Sequence, residues 1–237
     1  MATEANPIPV ITPEISSWIS VDYDALPATQ LSLLDAAAET FTKLGFAAAS
    51  IDVIAREIGA TKGSVYYHYR SKADLFLAVH KRAMVLNFRA QVPVIEQDKL
   101  SPRQKLEAMT YNHAMLMMEQ FYYQRVTVQG VELHQSASTT PSEREALDQV
   151  VGMRDAYEDL FHQVLEAGAS SGEFAEADFR LASRAILGSL NWITMWYRPR
   201  ADEASGYREH VAKQLTRQAL SGVMPRTAKR KSGAKTK

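Results

Sequence analysis

The chain of 237 residues contains no cysteine. That absence rules out disulfides and thiolate-held metals and accords with a reducing compartment. Net charge is lacking too, since 27 Lys and Arg stand against 27 Asp and Glu. Such a chain can hold nucleic acid only through a local basic face, not through bulk charge. No apolar run is long enough to span a bilayer, and the N-terminus lacks the basic start and apolar stretch of an export signal. The expectation is a cytoplasmic protein that does not engage a membrane. Nucleophile motifs, a glycine-rich phosphate loop and paired carboxylates in a supporting context are missing, which leaves a helical enzyme as a weak reading. His113, His134 and His162 are the metal candidates. No pair of them falls at i,i+4 and no acidic residue completes a set, so no metal is expected, and no cofactor. Strand-like alternation and internal repeats are also missing.

The charge that is present is unevenly placed. Residues 1–28 hold Glu4, Glu14, Asp22 and Asp24 with no Lys or Arg, and Pro7, Pro9, Pro13 and Pro27 make them read as an irregular arm. Trp18 and Ile19 are apolar enough to dock that arm on the folded part. Residues 226–237 hold Arg226, Lys229, Arg230, Lys231, Lys235 and Lys237 with no acid. This basic tail reads first as a solubilising segment and second as a contact to DNA flanking a binding site.

Between the two lies a chain that is 46% hydrophobic and helical in its periodicity. A first helix is predicted over 29–44, with Leu31, Leu34, Ala38 and Phe41 on one face, Thr29 as N-cap and Gly45 as its stop. The stretch SIDVIAREIGATKGSVYYHYRSKADL, Ser50 to Leu75, then describes two short helices joined tightly. Ile54 and Ile58 share a buried face at i,i+4, Ala55 and Val65 meet at the crossing, and Gly59 occupies the turn, where a positive φ costs glycine little. This is the unit that places a second helix in the major groove of DNA. That second helix, 61–67, opens with Thr61, Lys62, Gly63 and Ser64, short donors and one cation where base edges are reached. Tyr66, Tyr67, His68, Tyr69, Arg70, Ser71 and Lys72 follow, a mixture suited to phosphate oxygens. An ordinary helical hairpin with tyrosines at its rim is the alternative.

Further helices are predicted over 71–90, 102–120, 121–136, 141–168, 178–198 and 202–220, about nine in all. The reading is an all-α protein: a three-helix helix-turn-helix head over 29–72 and a helical ligand-binding and dimerisation body over 73–225. In the body, Met109, Met115, Met117, Met118, Phe121, Tyr122 and Tyr123 form a soft apolar stretch. It fits either a plain core or a pocket for a flexible apolar effector. Arg154 and Tyr157 are candidates for the polar part of that ligand or for an interhelical bridge. Asn191 and Trp192 are ligand candidates too, although Trp192 and Trp196, at i,i+4, fit a dimer bundle equally well.

The segment from Leu31 to Leu75 resembles the DNA-binding domain of the TetR family of transcriptional repressors. The resemblance rests on LLDAAAETFTKLGF, IAREIG and GSVYYHYRSKADL, in that order and spacing. It implies phosphate contact at Ser50, groove contact at Lys62 and Ser64, and phosphate or sugar contact at Tyr66, Tyr67, His68 and Lys72. Tyr69 stands where phenylalanine is commoner and offers one more hydroxyl to the interface. GSLNWITMWYRP, Gly188 to Pro199, with Arg154 to Glu158, Gly172-Glu173-Phe174 and the ending ALSGV, resembles the branch of that family that senses acyl-CoA thioesters. The resemblance implies a homodimer on an operator, released by an acyl-CoA or related apolar acid, with a multidrug-type sensor as the alternative effector class. The last two helices are the expected interface, with Ala185, Gly188 and Ala219 permitting close approach. A DNA-bending protein is a third class, but it would not need so large a body.

Overall fold

The computed structural model describes residues 10–23, 25–134 and 141–225. The first nine residues, the His134 side chain and the basic tail lie outside that set. Eleven helical segments are found among the described residues, with no strand. They are α1 (Pro13–Ile19), α2 (Ala28–Ala48), α3 (Ile51–Glu57), α4 (Lys62–His68), α5 (Lys72–Ile95), α6 (Pro102–Glu119), α7 (Phe121–His134), α8 (Pro141–Ser170), α9 (Phe179–Asn191), α10 (Ile193–Trp196) and α11 (Tyr207–Val223).

Two of these depart from the predicted nine. The arm is not wholly irregular: Thr12 accepts from the Ile15 N–H and Pro13 opens α1, a favourable start for a helix. Ile15 is buried, Trp18 packs on Phe88 with ring centroids 5.5 Å apart, and Arg89 donates to the carbonyls of Ile19 and Val21. The arm thus straps the second half of α5. The helix predicted over 178–198 breaks at Trp192 into α9 and α10 and ends at Trp196 rather than Arg198. Pro199 disfavours helical geometry in the residue before it, and the chain is already extended at Tyr197 (φ −72°, ψ 145°).

Local chemistry sets the other boundaries. Ser50, Thr61, Ser71, Ser101 and Asp178 each cap a helix through the side chain, and Ser101 forms a reciprocal capping box with Gln104. α2 is interrupted at Gly45, and Gly59 turns the chain between α3 and α4 with φ +64°. Side chains are strained in that left-handed region.

Burial divides the molecule along α5. Leu75, Phe76, Val79 and Ala83 join Leu34, Phe41, Ile54, Ala55 and Val65 in the core of the head. Met84, Phe88, Val92 and Ile95 join Met109, Leu160, Phe161 and Leu190 in the core of the body. The head core therefore does not stop at residue 72. Tyr123 and Val126 of α7 also belong to it, so α7 packs against both α2 and α5. Each fully buried side chain such as Phe41 or Phe76 contributes about 1.5–3 kcal/mol, so one continuous helix stabilises both cores. Among the described residues no helix is long and apolar enough to cross a membrane.

Candidate nucleic-acid interface and effector cavity

The outer face of the head is built by α4 and its caps. Val65 is fully buried and anchors α4, which turns its other side outward. Tyr67 is 86% exposed and Tyr66 46%, large rings that no packing argument places at a surface. Lys62 and Gly63 are exposed beside them, with Ser64 and His68 half-buried. An alanine methyl at Gly63 would meet nothing nearer than the Thr61 hydroxyl at 3.9 Å. The smallness of that residue therefore leaves open space outside the protein.

Several expected contact residues already have partners. Ser50 and Thr61 use their hydroxyl oxygens to accept from Val53 and Ser64 N–H groups. Each keeps its hydroxyl proton to donate. Lys62 pairs with Asp52 at 3.0 Å, which holds its ammonium above the usual lysine range. Both side chains are more than half exposed, so the pair is weak and yields readily to a phosphate. Lys72 is different. Its ammonium donates to the carbonyls of Phe46 (2.6 Å), Ala47 (3.2 Å) and Ala49 (2.9 Å) and sits 4.5 Å from the Phe46 ring. An ammonium has three donors, and all three are taken by the end of α2. Lys72 clamps the head instead of presenting a free cation. Tyr69 is also buried, and its hydroxyl accepts from Gln30 rather than facing outward.

In the body, a cavity of about 230 Å³ opens between α5, α6, α7, α8 and α9. Arg154, Tyr157 and Asn191 line it together, as do His113, Asn87 and Arg184. The methionine-aromatic stretch does not. Met109, Met117, Met118 and Phe121 are core, while Met115 and Tyr122 are partly buried against it. Trp192 is 61% exposed, outside the cavity. The lining is mostly polar, with Met84 and Leu187 its main apolar members, so the methionine-aromatic stretch does not form this cavity. The reason is helix phase. Residues 115, 118, 121 and 122 fall on faces that turn toward the bundle interior or the α6–α7 corner, whereas His113 meets α8 and α9.

A chain of hydrogen bonds crosses the cavity wall. Gln91 donates to the Met109 carbonyl (3.2 Å) and to the Tyr157 hydroxyl (3.0 Å). Tyr157 meets His113 Nδ1 at 2.8 Å, and His113 Nε2 meets Asn191 Oδ1 at 3.0 Å. Burial pushes His113 down to about 4, so the imidazole is neutral at pH 7. Burial raises the Tyr157 phenol well above its ordinary value. Beside this chain, Asn87 and Gln124 exchange two amide hydrogen bonds. Nothing in the motifs points to Asn87, Gln91 or Arg184, and the sequence offers His113 only as a metal candidate. One signal is present: Asn87 and Gln91 lie four apart within the apolar stripe of α5, where a polar group must find a partner.

A second polar cluster ties head to body. Tyr123 of α7 donates to Asp35 of α2 at 2.6 Å, and Arg82 of α5 reaches both. Thr42 of α2 donates to the Tyr122 carbonyl at 3.1 Å.

Known proteins resemble the chain on both sides of this junction. Residues 33–79 match the family model for bacterial regulatory proteins of the tetR family, and residues 99–223 match that for the tetracyclin repressor-like C-terminal domain. The fatty acid metabolism regulator protein of Bacillus subtilis (strain 168) is 25% identical over 168 residues, which cover 70% of this chain and 82% of that protein. The structure of the TetR family transcriptional regulator PfmR from Thermus thermophilus superposes with a TM-score of 0.67 at 28% identity, covering 80% of this chain and 97% of that one. AibR, solved with isovaleryl coenzyme A and operator DNA, has a TM-score of 0.64 at 21% identity, covering 83% of this chain and 98% of its own.

Proposed function

Because the chain belongs to the tetR family of bacterial regulatory proteins, we propose that it is a cytoplasmic repressor that binds a pseudo-palindromic operator as a homodimer and releases it when a CoA thioester or related acid enters the body cavity. Its family and relatives are transcriptional regulators, not enzymes. The observation that carries the reading is α5. Its first half is part of the head core, and its second half brings Met84 and Asn87 to the cavity. A ligand that moves the cavity wall has a rigid element through which to reorient the head.

The DNA contacts fall to Ser50, Thr61, Lys62, Gly63, Ser64, Tyr66, Tyr67 and His68. Lys62 and Ser64 read bases; the tyrosines and His68 hold phosphate and sugar. One head reads too few base pairs to be specific, and a two-fold pair reads twice as many. The dimer face falls on the last helices: α9 and α10 present an exposed apolar stripe, while Ala219 of α11 is partly buried against the body core. Leu181 and Trp192 are each more than 60% exposed and Trp196 is 47% exposed, with Ala185 and Gly188 exposed between them. Leu181, Ala185, Gly188 and Trp192 recur at helical spacing, an apolar stripe that a second copy would cover.

Arg154 and Arg184 stand on the cavity rim with Asp155 and Glu158, so net charge does not choose between a CoA thioester and an apolar cation, and it is the relatives that favour the thioester. The relative that regulates fatty acid metabolism and the AibR complex with isovaleryl coenzyme A support the same class. A ligand can shift the DNA-bound population only through its preference for the released form; a coupling of about 1–3 kcal/mol weakens operator binding roughly 5–150-fold. Fluorescence anisotropy on a duplex from the protein's own promoter, titrated with a thioester panel and a cationic drug panel, tests the proposal. Release by thioesters or acids is expected. Release by cations alone would refute the effector class and leave the repressor reading standing.

A further inference from the structure

The geometry points to Asn191 as the residue that recognises the effector, donating from its carboxamide nitrogen to the oxygen of a short acyl group. This rests on the effector cavity proposed above and adds the group and the size it selects.

The direction of the hydrogen-bond chain is forced from its buried end. Gln91 Nε2 faces the Met109 carbonyl, an acceptor only, so that atom is the amide nitrogen and its other N–H goes to the Tyr157 oxygen. Tyr157 then has its own proton left, and the acceptor within reach is His113 Nδ1. A neutral imidazole that accepts at Nδ1 carries its proton at Nε2, and that proton is donated to Asn191 Oδ1. Each step runs the same way, from Gln91 through Tyr157 and His113 to Asn191. The chain is rigid because Tyr157 and His113 are buried, with Tyr157 wedged edge-on against Phe88 at 5.5 Å.

At the cavity the chain ends in two N–H donors. Asn191 Oδ1 is occupied, and its Nδ2 makes no hydrogen bond among the described residues. The complement of a fixed pair of donors is an acceptor oxygen: a thioester carbonyl or a carboxylate. Of the charges on the rim, Arg184 and Glu158 neutralise each other at 2.9 Å. Arg154 and Asp155 make no ion pair among the described residues, so the rim discriminates little by net charge and the carboxamide sets the orientation.

Size follows from the cavity. Its 230 Å³ is below the roughly 300–1,000 Å³ that seats a drug-sized ligand. At roughly 30 Å³ for each water, it holds about eight water-sized groups. That suits the thioester group and a short acyl chain, and a nucleotide portion stays outside.

The test is isothermal titration of the full chain with saturated acyl-CoA thioesters from acetyl to palmitoyl, and with the matching free acids. N191D is the decisive variant. Its carboxylate still accepts from His113 Nε2 but turns an oxygen, not an N–H, toward the ligand. Tightest binding should fall at about six carbons or fewer, and N191D should weaken that ligand at least tenfold. The thioester and acid arms separate the two sources of the oxygen, and a preference for either upholds the proposal. If N191D fails to fold by circular dichroism, N191L removes both donors at similar volume and must show the same loss. Wild-type affinity in the folded variant overturns the role of Asn191, and tightest binding by chains clearly longer than six carbons overturns the size. A wild-type chain that binds no thioester or acid but is stabilised by apolar cations overturns the effector class as well, so the two failures are distinct.

Discussion

Tyr123→Phe removes one oxygen from the junction of head and body and leaves the ring in place. The ring is 5% exposed and packs with Val126 in the head core, so no cavity opens. The hydroxyl is lost as a donor to Asp35 at 2.6 Å and as an acceptor from Arg82. Burial and then the Asp35 hydrogen bond hold the phenol above its ordinary pKa, so it is a proton donor at any working pH. Hydrogen bonds to charged groups contribute about 1.5–3 kcal/mol. Asp35 is 56% exposed and water replaces part of what it loses, while the Arg82–Asp35 pair at 3.1 Å survives. The expected loss is about 1–2 kcal/mol, roughly 2–8 °C in melting temperature for a chain of this size. Urea denaturation gives the magnitude, and hydrogen exchange gives the place: protection should fall first in α2 and α7. A loss below about 0.3 kcal/mol, or one spread evenly over the body, would refute the assignment of this cluster as the tie between head and body.

Four further outcomes are expected. Lys72→Met strips three carbonyls at the end of α2 of their donor and should cost about 1–3 kcal/mol of stability. The salt slope of operator binding should stay the same, because no phosphate contact is lost; a slope reduced by about one unit would show that Lys72 touches DNA after all. Tyr67→Ala should weaken all duplexes alike in a mobility-shift assay, whereas Lys62→Ala should relax preference at one base pair by about 1–3 kcal/mol. Asp52→Asn frees Lys62 from its partner and should tighten DNA binding severalfold. Acid should destabilise the protein through His80 and His113. Burial lowers them to about 3 and about 4, with the Arg154 charge a lesser cause at His80. The unfolded chain therefore takes up protons below about pH 6.5 that the folded chain does not. Stability is then fully present above that pH and falls on acidification toward pH 4, by at most about 1.4 kcal/mol per unit for each histidine. Among the described residues His80 Nε2 has no hydrogen-bond partner, so His80→Leu should be neutral or stabilising at pH 7 and should flatten the acid slope in denaturant titrations. An unchanged slope would refute it.

The fold was legible in the sequence because its signals are local. Helical periodicity and the positive φ at Gly59 each depend on a few neighbouring residues, although the predicted cap at Thr29 is not found, because α2 opens after Pro27 with no side-chain cap. Composition excluded disulfides for an equally simple reason. The exposed face of α4 was legible too, since a short helix with Val65 inward must turn Tyr66 and Tyr67 outward. Tertiary packing decided the rest. Lys72 reads as a phosphate ligand in the sequence, whereas in the fold its ammonium donates to three carbonyls at the end of α2. The methionines of α6 fit a core or a pocket equally well on sequence alone, and helix phase turns most of them into the core. Gln91, His113, Tyr157 and Asn191 are scattered along one hundred positions of chain, and no local pattern relates them. They become one hydrogen-bonded chain only because α5, α6, α8 and α9 bury their polar faces against each other, where each donor must find an acceptor.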